Sequence, residues 1–133
     1  MRRKTHLIGA FLFAVLGYFI WYSIRRAFLF PPGPSLISTL TSVLSMEVKL
    51  FFVMVFSSLF GGTLPDVLDP PFSKHHRFVA HSKILFYLLL ITLFYSLYIL
   101  LTDPSLLFWS IYFFILGYIS HLVLDSRTAA GLP

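Results

Sequence analysis

The residues that could carry chemistry concentrate in one stretch, from Leu64 to Ser82, which reads LPDVLDPPFSKHHRFVAHS. The chain has 133 residues with five acids and five histidines in all, and two of these acids and three of these histidines lie in that stretch. Imidazole and carboxylate are the nitrogen and oxygen ligands that a Zn²⁺-like ion selects. The stretch therefore predicts a polar site, and metal binding is the chemistry that its residue types favour.

Three further candidate ligands lie outside this stretch, near the two ends of the chain. His6 precedes a long apolar run, and His121 and Asp125 lie at the end of another. His121 and Asp125 are four residues apart, so on a helix they share one face. Gly117, one turn before His121, would let a neighbouring helix approach closely. This spacing predicts a second polar pair at the end of an apolar helix.

The composition of the chain is that of an integral membrane protein. Hydrophobic residues make up 58% of it and charged residues 11%, against roughly half and a quarter in a soluble domain. A soluble fold of this length could not hide 16 Phe, 7 Tyr and 2 Trp, whereas lipid accepts apolar side chains on every face. There is no cysteine, which excludes disulfides and thiolate metal sites. The net charge of +5 arises from basic residues that flank apolar runs, so we expect no nucleic-acid binding.

Four apolar runs of helical length predict an all-α bundle of four transmembrane helices. The predicted spans cover residues 7–24, 47–64, 84–101 and 106–124, with a motif loop at 65–82. Residues 36–47 alternate apolar and polar residues at helical spacing. They predict a short amphipathic helix in the membrane interface before span two, or the polar start of that span. Pro65 is predicted to end span two, because proline cannot continue a helix.

Antiparallel spans bring all but two of the acids and histidines to one membrane face. The start of span one, the end of span two, the start of span three and the end of span four meet there, and only Glu47 and Asp103 lie elsewhere. Seven lysines and arginines flank this face and three flank the other. By the positive-inside rule, both termini and the polar cluster are therefore expected in the cytoplasm.

Carboxylates and imidazoles at a membrane boundary are costly unless they are coordinated, paired or hydrated, which makes them functional candidates. The predicted ligands are numerous enough for one or two divalent ions, with zinc favoured by the donor types. They are His6, Asp66, Asp69, His76, His81, His121 and Asp125.

At these residues the chain resembles the YdjM-type family of membrane-bound, predicted metal-dependent hydrolases, LexA-regulated inner-membrane proteins of bacteria. Four ordered blocks carry the resemblance along the chain: Thr5-His6, Leu64-Pro65-Asp66, His76-Arg77-Phe78-Val79-Ala80-His81-Ser82, and Gly117 to Asp125 with a tail of Thr128, Gly131 and Pro133. The second acid of the family pattern would stand where Leu68 is, so Asp69 is a shifted match. The resemblance extends, one step further, to zinc-dependent phospholipase C and nuclease folds.

The resemblance implies a hydrolase of the bacterial inner membrane that uses metal-activated water, with phosphoester hydrolysis as the favoured reaction. Asp66, His76 and Arg77 are the candidate catalytic residues, and the planar guanidinium of Arg77 suits a phosphate. Because the cluster lies at a membrane boundary, an amphiphilic substrate such as a phospholipid or polyprenyl phosphate is expected. Membrane lipids are the expected partners, and a homo-oligomer stays open.

Two other classes of protein stay open from the sequence. A di-iron membrane enzyme also uses histidine clusters, and His76 and His81 fit part of such a pattern, although those sites usually need more than five histidines. A non-catalytic scaffold or transport subunit would use the same polar residues as hydrogen-bonded contacts between helices. The bound metal distinguishes them: zinc favours the hydrolase, iron the oxidative enzyme and no metal the scaffold.

Overall fold

A computed structural model describes residues 3–29, 36–68, 80 and 82–126 of the chain. These residues form four helices, namely α1 Arg3–Leu29, α2 Leu36–Leu68, α3 Lys83–Thr102 and α4 Leu106–Ser126. Each helix contains a segment long and apolar enough to cross a membrane. No strand occurs among the described residues. The prediction of an all-α, multi-pass membrane protein with four spans is confirmed.

The predicted amphipathic helix is the first part of α2, which runs without interruption from Leu36 to Leu68. No glycine or proline occurs between Leu36 and Phe60, so nothing in the backbone chemistry separates the polar first turns from the apolar span. Residues 36–47 precede the apolar segment Val48–Leu68 and are continuous with it in one helix.

Pro65 lies inside α2, and the prediction that it ends this helix was wrong by about one turn. Without an N–H, Pro65 leaves only the Gly61 carbonyl without its helical donor. The fully buried ring of Pro65 contributes packing that offsets this loss. As a result Asp66 lies on the last turn of a helix instead of in the predicted loop.

α4 is the central helix of the bundle and packs against the other three helices. α3 lies at the periphery, where it packs mainly against α4 and makes only a few contacts with α1. The crossing of α2 and α4 is close because glycines remove side chains there. A Cβ atom on Gly117 would overlap the carbonyl oxygen of Ser58, and one on Gly61 would overlap that of Phe114. This close backbone approach brings the last turns of α2 and α4 together.

Hydrogen bonds and aromatic contacts join the helices at both ends of the bundle. Away from the polar cluster, the Trp21 indole donates to the Leu100 carbonyl oxygen at 3.3 Å and packs edge-to-face on Trp109 at 4.5 Å. At the other end, the Tyr118 hydroxyl donates to the Ala80 carbonyl oxygen at 3.0 Å. The chain just before α3 is thereby fastened to α4 beside the polar residues.

Candidate metal centre

Four of the predicted ligands come together at one end of the bundle, on three different helices. His6 lies in the first turn of α1, Asp66 in the last turn of α2, and His121 and Asp125 in the last two turns of α4. His6, His121 and Asp125 are buried, whereas the Asp66 side chain is 31% exposed. The cluster is therefore enclosed by the helices and opens on the side of Asp66.

A backbone carbonyl fixes the orientation of His121. Its Nδ1 atom lies 2.7 Å from the Gly62 carbonyl oxygen of α2. A carbonyl oxygen can only accept, so Nδ1 carries the proton and donates it. In the neutral ring, Nε2 then has the lone pair that binds a metal, which is the usual arrangement of a ligand histidine held from behind by a carbonyl.

Histidine nitrogens and aspartate oxygens of the cluster lie close together in pairs. His121 Nε2 lies 3.5 Å from Asp66 Oδ1 and 3.6 Å from Asp125 Oδ2, and His6 Nε2 lies 3.4 Å from Asp125 Oδ1. These distances exceed the usual N–H···O range of about 2.7 to 3.2 Å. Zinc bonds of about 2.0 to 2.1 Å in a tetrahedron place neighbouring ligand atoms about 3.3 Å apart. The contacts are thus longer than good hydrogen bonds, and their length is compatible with ligand atoms around an ion.

The electrostatics of the cluster also call for a cation. Two carboxylates, those of Asp66 and Asp125, lie against the Nε2 atom of His121. A positive charge beside these carboxylates, either a proton on the Nε2 atom of His121 or a bound metal ion, would compensate the buried negative charge.

His6 stacks on His121, with ring centroids 4.0 Å apart and planes 19° apart. This stacking brings both rings beside Asp125, which contacts one nitrogen of each. The Nδ1 atom of His6 is buried and has no hydrogen-bond partner among the described residues. Since an unsatisfied buried polar atom costs about 1 to 3 kcal/mol, this ring fits a site that is completed by a further group.

The buried group of His6, His121 and Asp125 can hold a metal ion, since one ligand atom from each lies within 4.8 Å of the others. Asp66 is not part of this group of three, but its Oδ1 atom lies 3.5 Å from His121 Nε2 and is a second possible oxygen donor. Two nitrogen and two oxygen donors match the chemistry of zinc and of other first-row divalent ions. The donor set thus fits the kind of ion that the sequence predicts.

The remaining predicted site residues are Asp69, His76, Arg77 and His81, and they lie outside the described residues. The sequence reasoning did not find Gly61 and Gly62, which allow α2 to approach α4 and α1 and present the carbonyl to His121. The signal was available, because a glycine pair one turn before a Pro-Asp motif indicates a close backbone approach.

Comparison of the chain with protein-family models, with curated proteins and with solved structures found no significant match.

The carbonyl contact predicts the tautomer of His121. In ¹⁵N-histidine-labelled protein without added metal, we expect Nδ1 of His121 to resonate as a protonated nitrogen and Nε2 as an unprotonated one. Adding zinc should shift the Nε2 signal and leave Nδ1 protonated. Assignment by comparison with the His121→Gln variant identifies the ring. A neutral ring protonated on Nε2 would contradict the assignment of the ligand atom.

Proposed function

We propose that this protein is a membrane-embedded, metal-dependent hydrolase that cleaves a phosphoester of an amphiphilic substrate. The observation that carries the proposal is the buried group of His6, His121 and Asp125, whose ligand atoms lie within 4.8 Å of one another, with Asp66 3.5 Å from His121. Its position at the end of four membrane-spanning helices suits a substrate with a polar headgroup and apolar chains.

Zinc is the proposed cofactor, as one or two ions. His6, His121, Asp125 and Asp66 would hold the first ion, and Asp69, His76 and His81 are the proposed donors for completing the site. A divalent ion supplies a polarised substrate oxygen and an activated water molecule, so no protein nucleophile is required. The absence of cysteine in the chain agrees with such chemistry.

The exposure of the carboxylates suggests different roles for them. Asp125 contacts both histidines and its side chain is 6% exposed, whereas that of Asp66 is 31% exposed. A substrate therefore reaches the cluster beside Asp66, which we propose as the carboxylate that accepts a proton during hydrolysis. Asp125 would mainly hold the two histidine rings and the ion.

The proposed reaction is tested with detergent-purified, zinc-loaded protein and a panel of phospholipids and polyprenyl phosphates, with and without chelator. We expect chelator-sensitive release of a phosphorylated headgroup or of phosphate. Arg77→Ala should lower kcat/KM about ten- to a hundredfold through loss of charge-assisted hydrogen bonds to phosphate, with zinc content unchanged. Lys49→Ala, at an exposed position 17 residues before Asp66, is the matched control. Zinc binding without chelator-sensitive cleavage across the panel would refute phosphoester hydrolysis.

The proposed location is the inner membrane of a bacterium, with both termini and the cluster in the cytoplasm, as in the YdjM-type family to which we propose the chain belongs. Reporter fusions after Pro133 and within residues 31–35 should therefore give opposite signals, because three spans, an odd number, separate the two positions. A cytoplasmic signal from residues 31–35 would overturn this orientation.

The contacts of the cluster also support a second candidate function, that of a non-catalytic scaffold or transport subunit. The histidine–aspartate contacts join α1, α2 and α4 and would hold the helices together without an ion. Metal analysis of the purified protein discriminates the candidates. Stoichiometric zinc favours the hydrolase, iron favours a di-iron oxidative enzyme, and a folded, metal-free protein with no affinity for zinc favours the scaffold.

A further inference from the structure

A cleft of about 320 Å³ lies between the start of α3 and the end of α4. It is lined by Lys83, Phe86, Tyr87, Val123 and Ser126. The cleft is at the same end of the bundle as the candidate metal centre but on another side of α4. His121 and Asp125 contact α2 and α1, whereas Val123 and Ser126 face α3. The cleft is therefore separate from the metal centre.

The lining of the cleft combines one cation with hydroxyl groups and apolar side chains. Lys83 supplies an ammonium, and Tyr87 and Ser126 supply hydroxyls beside the apolar Phe86 and Val123. Among the described residues, no carboxylate lies within ion-pair distance of Lys83. A lysine at a membrane boundary is complementary to a negatively charged headgroup.

An apolar stripe continues from the cleft along α3 toward the middle of the membrane. Ile84, Tyr87, Leu88 and Ile91 follow the helical spacing of i, i+3, i+4 and i+7, and each is more than half exposed. Tyr87 belongs both to this stripe and to the cleft. A molecule with a polar head in the cleft would thus lay its apolar chain along α3.

We propose that this cleft binds the headgroup of an anionic phospholipid, with the phosphate on Lys83 and headgroup hydroxyls against Ser126 and Tyr87. The volume supports this ligand, because 320 Å³ is at the lower end of the range of ligand pockets. It accommodates a phosphorylated headgroup and leaves the acyl chains outside, on the stripe that begins at Ile84. Phosphatidylglycerol has the required charge and hydroxyls, and phosphatidylcholine lacks the net charge. The proposal does not depend on the hydrolase function.

Native mass spectrometry of the detergent-purified chain, titrated with phosphatidylglycerol or phosphatidylcholine, tests this binding site. We expect one phosphatidylglycerol to bind more tightly than phosphatidylcholine. Lys83→Gln should weaken phosphatidylglycerol binding about fivefold, the effect of one lysine near an anionic headgroup. Lys49→Gln removes an exposed lysine elsewhere and should leave the affinity unchanged. Ser126→Trp keeps the charge of Lys83 but fills the cleft, and it should also weaken binding.

These outcomes distinguish binding of the lipid in the cleft from a general attraction of the anionic lipid to the basic residues of the protein. Equal losses of affinity for phosphatidylglycerol in Lys83→Gln and Lys49→Gln would overturn the proposal. Unchanged affinity in Lys83→Gln would also overturn it. Unchanged affinity in Ser126→Trp, with helicity retained by circular dichroism, would place the lipid elsewhere and also overturn it. Soluble glycerol phosphate should not compete at the same concentration, because it lacks a chain for the stripe. Equal competition would refute a lipid ligand.

Discussion

Replacing Asp125 with asparagine should lower the affinity of the protein for zinc by more than about a hundredfold, above the ten- to hundredfold typical of supporting residues. Asp125 contacts the Nε2 atoms of both His6 and His121, at 3.4 and 3.6 Å. The negative charge of Asp125 therefore acts on both histidines and on any ion bound between them. Asparagine has nearly the same shape, which isolates the effect of charge from that of packing. Isothermal titration with zinc in detergent measures the affinity.

Asp103→Asn is the matched control for this substitution. Asp103 lies in the short connection between α3 and α4, at the opposite end of the bundle, and its replacement should leave zinc affinity unchanged. Helicity by circular dichroism verifies that both variants fold. Wild-type affinity in Asp125→Asn would contradict the role of Asp125 as a ligand, as would an equal loss in both variants.

Gly117→Ala should lower the stability more than substitutions of glycines that face side chains. The added Cβ atom would overlap the carbonyl oxygen and backbone carbon atoms of Ser58, and backbone cannot rotate away as a side chain can. Overpacking of this kind costs about 1 to 3 kcal/mol, so the free energy of unfolding should fall by at least that amount. Trp21 and Trp109 are buried, and their fluorescence during thermal unfolding in detergent reports the change.

The same substitution should weaken zinc binding, because moving α4 away from α2 also moves His121 Nδ1 away from the Gly62 carbonyl oxygen. Gly9→Ala is the matched control on α1, since the Cβ atom there would meet chiefly the flexible side chain of Leu124. It should lower the unfolding midpoint much less and leave zinc affinity unchanged. Equal stability of the Gly117→Ala and Gly9→Ala variants would show that the close crossing of α2 and α4 does not constrain the fold.

The four spans and the location of the polar cluster follow from the order of residues along the chain. Apolar runs of about 20 residues can hide their backbone only as helices across the membrane. Successive antiparallel helices then bring alternate ends to the same face. For this reason His6, Asp66, His121 and Asp125 could be assigned to one end of the bundle before any contact was known.

The contacts within that end depend on which face of each helix packs against its neighbours, and lipid-facing helices carry little of this information. Their residues are apolar all round, so the periodicity that marks a buried face in a soluble protein is weak. The close approach at Gly61 and Gly117 sets the rotation of α2 and α4, and it turns His121 toward the Gly62 carbonyl. Because α2 continues through the buried Pro65, Asp66 lies on a helix.

The pattern of residues thus accounts for the membrane topology and for the types of ligand gathered at one face, because both depend on the composition and length of each run. The pairing of particular nitrogen and oxygen atoms depends on helix rotation and on sub-ångström packing between backbones, which arise when three helices pack around α4. The close approach of His6, Asp66, His121 and Asp125 is therefore a property of the assembled bundle, and no single helix contains it.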